Sequence, residues 1–151
     1  MSSPETRNPG DHDLVPVVLD QMQDAVIVAD RNGVIQVWNR GAEIIFGFDA
    51  SEAVGANLDL IVPERFRQQH NEGYRRTIAS GHLRTHGRLL TTRANHKYGS
   101  QLYVEFSFGL IKDAAGNVNG LFAVGRDVTA RHLAEVAARV SAAKPVHAAH
   151  S

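Results

Sequence analysis

Two β-branched runs, Ala25 to Ala29 (AVIVA) and Val34 to Trp38 (VIQVW), flank Asp30-Arg31-Asn32-Gly33. Asn-Gly between strand-like runs is a strong hairpin signal, so the ordered part of the chain opens on two antiparallel strands. The next forty residues are helical in pattern. Asn39 can cap a short helix carrying Ala42, Ile44, Ile45 and Phe46 that Gly47 ends, and Asp49 or Ser51 can cap a further turn reaching Gly55. Strand patterns return only after Gly81. LRTHGRLLTT is read as one strand from Leu83, and LYVEFSFGLI alternates with Val104, Phe106, Phe108 and Leu110 on one face. After the turn DAAGNVN, GLFAVGRDVT is the last strand. The predicted order of two strands, helices and three strands gives an α+β domain with a five-stranded antiparallel sheet.

The stretch from Val62 to Leu90 carries the strongest functional signal. Pro63-Glu64 suits a helix start and Gly81 its end. Phe66, His70, Gly73, Tyr74, Thr77 and Ile78 recur at three- and four-residue steps and share a face, while Arg65, Arg67, Gln69, Glu72, Arg75 and Arg76 supply the polar one. His70 therefore belongs to the inward stripe. An imidazole there is either a core residue with an ordinary hydrogen-bond partner or a ligand to something held in the core.

Composition narrows the classes. At 151 residues the chain is one domain's worth. Lys plus Arg number 16 and Asp plus Glu 16, so no net field recommends nucleic acid or an anionic membrane. The absence of cysteine removes disulfides, thiolate metal sites, cysteine nucleophiles and a cysteinyl adduct to a flavin. No apolar run reaches spanning length and the polar start has no signal-peptide core, which predicts a cytoplasmic location. No nucleophile, base and orienting acid form a recognisable set, and no glycine loop cradles phosphate, so a sensor is favoured over an enzyme. His82 and His86, four apart on a strand, would lie about 13 Å apart and chelate poorly. His12, His96, His132, His147 and His150 receive no role.

The signatures DAVIVADRNGVIQVWN, AEIIFGFDASEAVGAN and the closing GRDVT resemble the PAS fold over roughly Gln21 to Val140. This implies a lead over 1–11 without order, an N-terminal flanking helix over 12–22, a PAS core over 23–128, an output or dimerisation helix over 129–143 and a flexible tail over 144–151. Within that family, Pro63, Glu64, Arg67, His70 and Tyr74 resemble the pattern of haem-binding oxygen sensors of the FixL and Dos type.

The resemblance implies haem b, with His70 as the proximal iron ligand, Gly87 on the following strand, and Val104, Phe106, Phe108, Leu121 and Ala123 against the porphyrin. The distal arginine of those sensors falls here on Leu90. Arg88, two residues earlier and on the same strand face, is the alternative distal donor. His82, Arg84, Arg75 and Arg76 are candidates for the propionates, and Tyr74 lies one residue later than in FixL-like sequences. A diatomic gas (O₂, CO or NO) or redox state is the implied signal, passed through contacts at Arg88 and Leu90 to the helix after Thr129. The implied partners are a second copy through the terminal helices and a downstream signalling protein or fused output domain. A haem-free interaction module with a side-chain-filled or small-ligand cavity is the competing reading, and FAD or FMN a weaker one.

Overall fold

The computed structural model describes residues 11–85 and 87–148. The hairpin forms where the sequence places it, as β1 (Ala25–Asp30) and β2 (Ile35–Trp38). The Asp30 carboxylate accepts from the amides of Asn32 and Val34, and Gly33 takes φ +80°, a left-handed conformation that disfavours larger residues. β3 (Leu90–Asn95), β4 (Gln101–Lys112) and β5 (Val118–Asp127) complete one antiparallel sheet in the order β2-β1-β5-β4-β3. The last strand thus lies at the centre, paired with β1 from Ala25↔Gly125 to Asp30↔Gly120.

The helices cross between β2 and β3. Outside the sheet, α1 (Asp11–Gln21) precedes β1. Asn39 caps α2 (Arg40–Phe46) by accepting from the Ala42 amide at 2.9 Å, and Gly47 ends it at φ +83°. A brief α3 (Ala50–Ala53) comes next, then a 3₁₀ turn at Leu58–Leu60. The long helix starts more tightly than its sequence suggests: Glu64–Phe66 is a 3₁₀ turn, and the α-helical part, α4, runs Arg67–Ser80 to a left-handed Gly81. Beyond β5 the chain continues as α5 (Thr129–Ala148).

The largest fully buried side chains come from β2, α2 and β4. Ile35, Phe46 and Val104 are completely enclosed, and Trp38 meets Phe46 at a ring-centroid distance of 5.4 Å while its Nε1–H donates to the Phe48 carbonyl. Burying each large apolar side chain contributes roughly 1.5–3 kcal/mol. This knot holds the crossover helices and leaves the space beneath α4 unfilled.

Two expectations are corrected. The strand expected from Leu83 does not form; the described residues from Gly81 to Leu89 are irregular, with Gly87 at φ +73°, and the strand starts at Leu90. Positive φ is incompatible with an extended run, so Arg88 shares no strand face with Leu90, and the spacing argument for His82 and His86 loses its basis. Helix α5 continues past the expected tail boundary to Ala148. Alanines keep the backbone helical on both sides of Pro145, which itself forgoes one ladder bond. The remaining expectations for 1–10, His86 and 149–151 fall outside the described residues.

Candidate functional site

Between α4 and the inner face of the sheet lies an open cavity of about 1280 Å³. Strand alternation builds its floor: Phe106 and Phe108 project from β4, Leu121 and Ala123 from β5, and Ile27 and Ala29 from β1. The two phenylalanine rings lie 5.5 Å apart, and Gly125 makes room for Phe106, since a Cβ there would stand 2.6 Å from its ring. Leu58 and Ile61 close one side. Helix periodicity builds the opposite wall from Phe66, His70, Gly73, Tyr74 and Thr77.

His70 lines this cavity, and its Nδ1 is buried without a hydrogen-bond partner. Burial pushes the imidazole below its ordinary value, while the adjacent Asn71 amide and the Asp59 carboxylate pull the other way. Burial thereby favours the neutral form, the one that can donate a lone pair to a metal. Tyr74 stacks beside it, centroids 6.3 Å apart, but its hydroxyl donates to the Asp30 carbonyl at 2.6 Å. Burial, with the Asp30 carboxylate adding to it, pushes the Tyr74 phenol up to about 12. Tyr74 thus contributes its ring to the wall and its hydroxyl to the hairpin.

The other sequence-derived positions divide. Leu90 lines the cavity, 40% exposed, and pairs with Phe106 across β3 and β4. Val104 does not line it; fully buried, it belongs to the hydrophobic core. Arg88 sits in the irregular segment, exposed, with its guanidinium donating to the Arg84 carbonyl at 3.4 Å rather than lining the cavity. Of the four basic residues considered for acidic groups, Arg76, His82 and Arg84 line the cavity and Arg75 does not.

Sequence reasoning missed Arg65 and Arg93, which also line it, and Leu83 and Thr85. Arg65 stacks over Phe66 at 4.7 Å and Arg93 over Tyr103 at 5.7 Å. Arg65 was legible only as a polar-face residue, and Leu83 and Thr85 were hidden by the mistaken strand. The result is an apolar hollow with arginines among its lining residues. Among the described residues, no group of three or more His, Asp or Glu is placed to hold a bare metal ion.

The antiparallel sheet is ordered 2-1-5-4-3 with a cavity under the longest crossover helix, and the family model described as PAS fold matches residues 19–133. The chain is a PAS domain.

PAS domains are sensory modules of signal transduction, and the relatives fit that class. This PAS domain is 36% identical over 76 residues to the sensor protein FixL of Bradyrhizobium diazoefficiens, covering 49% of this chain and 15% of FixL. It is 27% identical over 118 residues to the oxygen sensor protein DosP of Escherichia coli, covering 78% of this chain and 14% of DosP. The chain thus spans a small fraction of the curated relatives it matches. Among solved structures, the PAS domain of a Colwellia psychrerythraea protein superposes with a TM-score of 0.67 at 22% identity, covering 78% of this chain and 97% of that one. The PAS domain of the Cronobacter turicensis quorum-sensing receptor RpfR, in complex with C12:0, gives 0.59 at 19% identity, covering 72% of this chain and 97% of that one. The identities to these two structures establish the fold alone.

Proposed function

We propose that this PAS domain is a haem-binding sensor in which His70 is the proximal ligand to haem b and a diatomic gas or the redox state is the signal. The observation that carries the reading is an imidazole with an orphaned buried nitrogen on the wall of a large apolar cavity. A lone imidazole is a sufficient protein ligand where the metal arrives already held in a macrocycle, and no cluster of His, Asp or Glu competes for the role among the described residues. The cavity, about 1280 Å³, has room for a flat tetrapyrrole. Haem would supply reversible binding of a small diatomic ligand.

The chain's own residues do the rest. Phe106, Phe108, Leu121 and Ala123 form an apolar floor that keeps water away, Leu90 forms the wall on β3, and the ring of Tyr74 flanks His70. Arg65, Arg76, Arg84 and His82 are the groups able to take acidic substituents. Arg88 reaches the distal side only if the segment from Gly81 to Leu89 rearranges.

The signal would leave through β5, which ends in a capped turn. Thr129 Oγ1 donates to Asp127 at 2.6 Å and accepts from the Tyr103 amide at 2.9 Å, tying the start of α5 to β4. Leu14, Val15, Val17 and Val18 on α1 and Leu133 and Val140 on α5 are half or more exposed, an apolar surface suited to a second copy. A downstream signalling protein or fused output domain would receive the change.

The test is an absorption spectrum of the purified protein with added haemin. A Soret band in wild type and its loss in His70→Ala are expected. A protein that stays colourless refutes haem binding and favours the competing reading, a haem-free interaction module whose cavity takes a small organic ligand or none; absorbance of bound FAD or FMN would point to a flavin instead.

A further inference from the structure

Glycine weakens an α-helix more than any residue but proline, because its backbone has the most freedom to lose. Gly73 nevertheless occupies the middle of α4. Every other glycine among the described residues has a local reason to be one. Seven take a positive φ, and at Gly41, Gly109, Gly120 and Gly125 a Cβ would collide with Asp24, Phe122, Ala29 and Phe106 respectively. Gly73 has neither reason. Its φ is not positive, and the nearest atom its Cβ would meet is Nη2 of Arg76 at 3.9 Å, the far end of a long side chain.

What Gly73 does face is the cavity. It shares the inner stripe of α4 with His70, Tyr74 and Thr77, so the wall has a notch between His70 and Thr77 where the backbone is bare. Rotation of the helix cannot hide the notch, because the hydroxyl of the next residue, Tyr74, donates to the Asp30 carbonyl at 2.6 Å and fixes which side turns inward. No residue of α4 is fully buried, so tertiary packing does little to offset the weak point. Across the cavity stand the rings of Phe106 and Phe108. Bare backbone on one side and aromatic rings on the other make a slot suited to something flat.

We propose that Gly73 is the specificity-determining residue of the cavity: by leaving the helix backbone bare beside His70, it admits a rigid, planar occupant that a side chain there would exclude. The helix is weaker for it. Close approach of a ligand to the backbone is a recurring reason for glycine, and here it accounts for a residue that neither conformation nor packing demands. The inference rests on the haem reading for the identity of the occupant and on the shape of the wall for its flatness.

The test sets stability against affinity in wild type, Gly73→Ala and Gly73→Leu. Without ligand, Gly73→Ala is expected to melt about 2–4 °C higher than wild type, since alanine is the better helix former. Titrations use haemin and, separately, anilinonaphthalene sulfonate, a flat aromatic probe that needs no iron ligand. The dissociation constant is expected to rise about fivefold or more in Gly73→Ala and further in Gly73→Leu, as overpacking of a filled interior does. A merely structural glycine would not give a variant that is more stable and binds worse. Equal affinity in all three proteins for the probes that wild type takes up overturns the assignment, and so does an alanine variant that melts below wild type. A wild type that rejects haemin while its affinity for the aromatic probe still falls from glycine to leucine overturns the haem reading and leaves the role of Gly73 intact. Rejection of both probes by wild type overturns both.

Discussion

Asn39 is the buried polar residue that joins α1, β1 and α2, and its replacement has a calculable cost. The side chain is 3% exposed and makes four hydrogen bonds. Oδ1 accepts from the amides of Val26 at 2.8 Å and Ala42 at 2.9 Å; Nδ2 donates to the carbonyls of Leu19 at 2.7 Å and Asp24 at 3.1 Å. Asn39→Ala strands the two buried amides, at about 1–3 kcal/mol each, and loses the cap of α2, itself worth about 1 kcal/mol and partly the same interaction. The total is about 3–5 kcal/mol, set against a stability of about 5–15 kcal/mol for a domain. At roughly 2–4 °C per kcal/mol for a chain of this size, the melting temperature should fall by roughly 6–20 °C. Thermal and urea denaturation of the haem-free protein measure it. Asn39→Asp separates the two halves of the effect, because it keeps the accepted bonds and loses the donated ones. Amides of α1 should then exchange faster while those of α2 stay protected. An Asn39→Ala protein whose stability lies within about 1 kcal/mol of wild type would refute the claim that this side chain joins α1, β1 and α2.

Further outcomes are expected. Saturating haem at about 100 times its dissociation constant should stabilise wild type by about 2.7 kcal/mol, raising the melting temperature by roughly 5–11 °C, with no gain in His70→Ala. Tyr74→Phe removes the 2.6 Å bond to the Asp30 carbonyl and should cost about 1 kcal/mol in denaturant titration. Because burial depresses the His70 imidazole, the unfolded chain binds its proton more readily; stability from this group is complete above the ordinary value of 6.5 and is lost as pH falls through the lower folded value. His70→Leu should flatten that acid limb, and an unchanged slope would count against the buried ring. Arg88→Ala should leave haem retention unchanged, since the side chain lies outside the cavity, whereas Phe106→Ala should weaken it.

What the sequence made legible was local or periodic. The hairpin followed from Asn32-Gly33, the cap of α2 from Asn39 and Gly47, and the cavity floor from the strict alternation of Phe106 and Phe108. The helical stripe placed His70 correctly on the inner wall because a 3.6-residue period carries that information directly. β3 was misread for a physical reason. As an edge strand, LTTRAN buries only Ala94 and shows no alternation, while the adjacent Leu89 and Leu90 imitate a core run although both are exposed. The helical period puts Arg65 on the polar face and nothing in the pattern singles out Arg93; only the tertiary arrangement brings both to the cavity.

The pairing of β1 with the final strand has a consequence for how such a unit is used. Ala25 lies opposite Gly125, and just beyond them Asp24 meets Arg126 at 3.3 Å, so the polypeptide comes in and goes out side by side at one pole. A cassette wired in this way can be spliced into a larger polypeptide without stretching its neighbours apart. Whatever strains the central strand pulls on both connections at once.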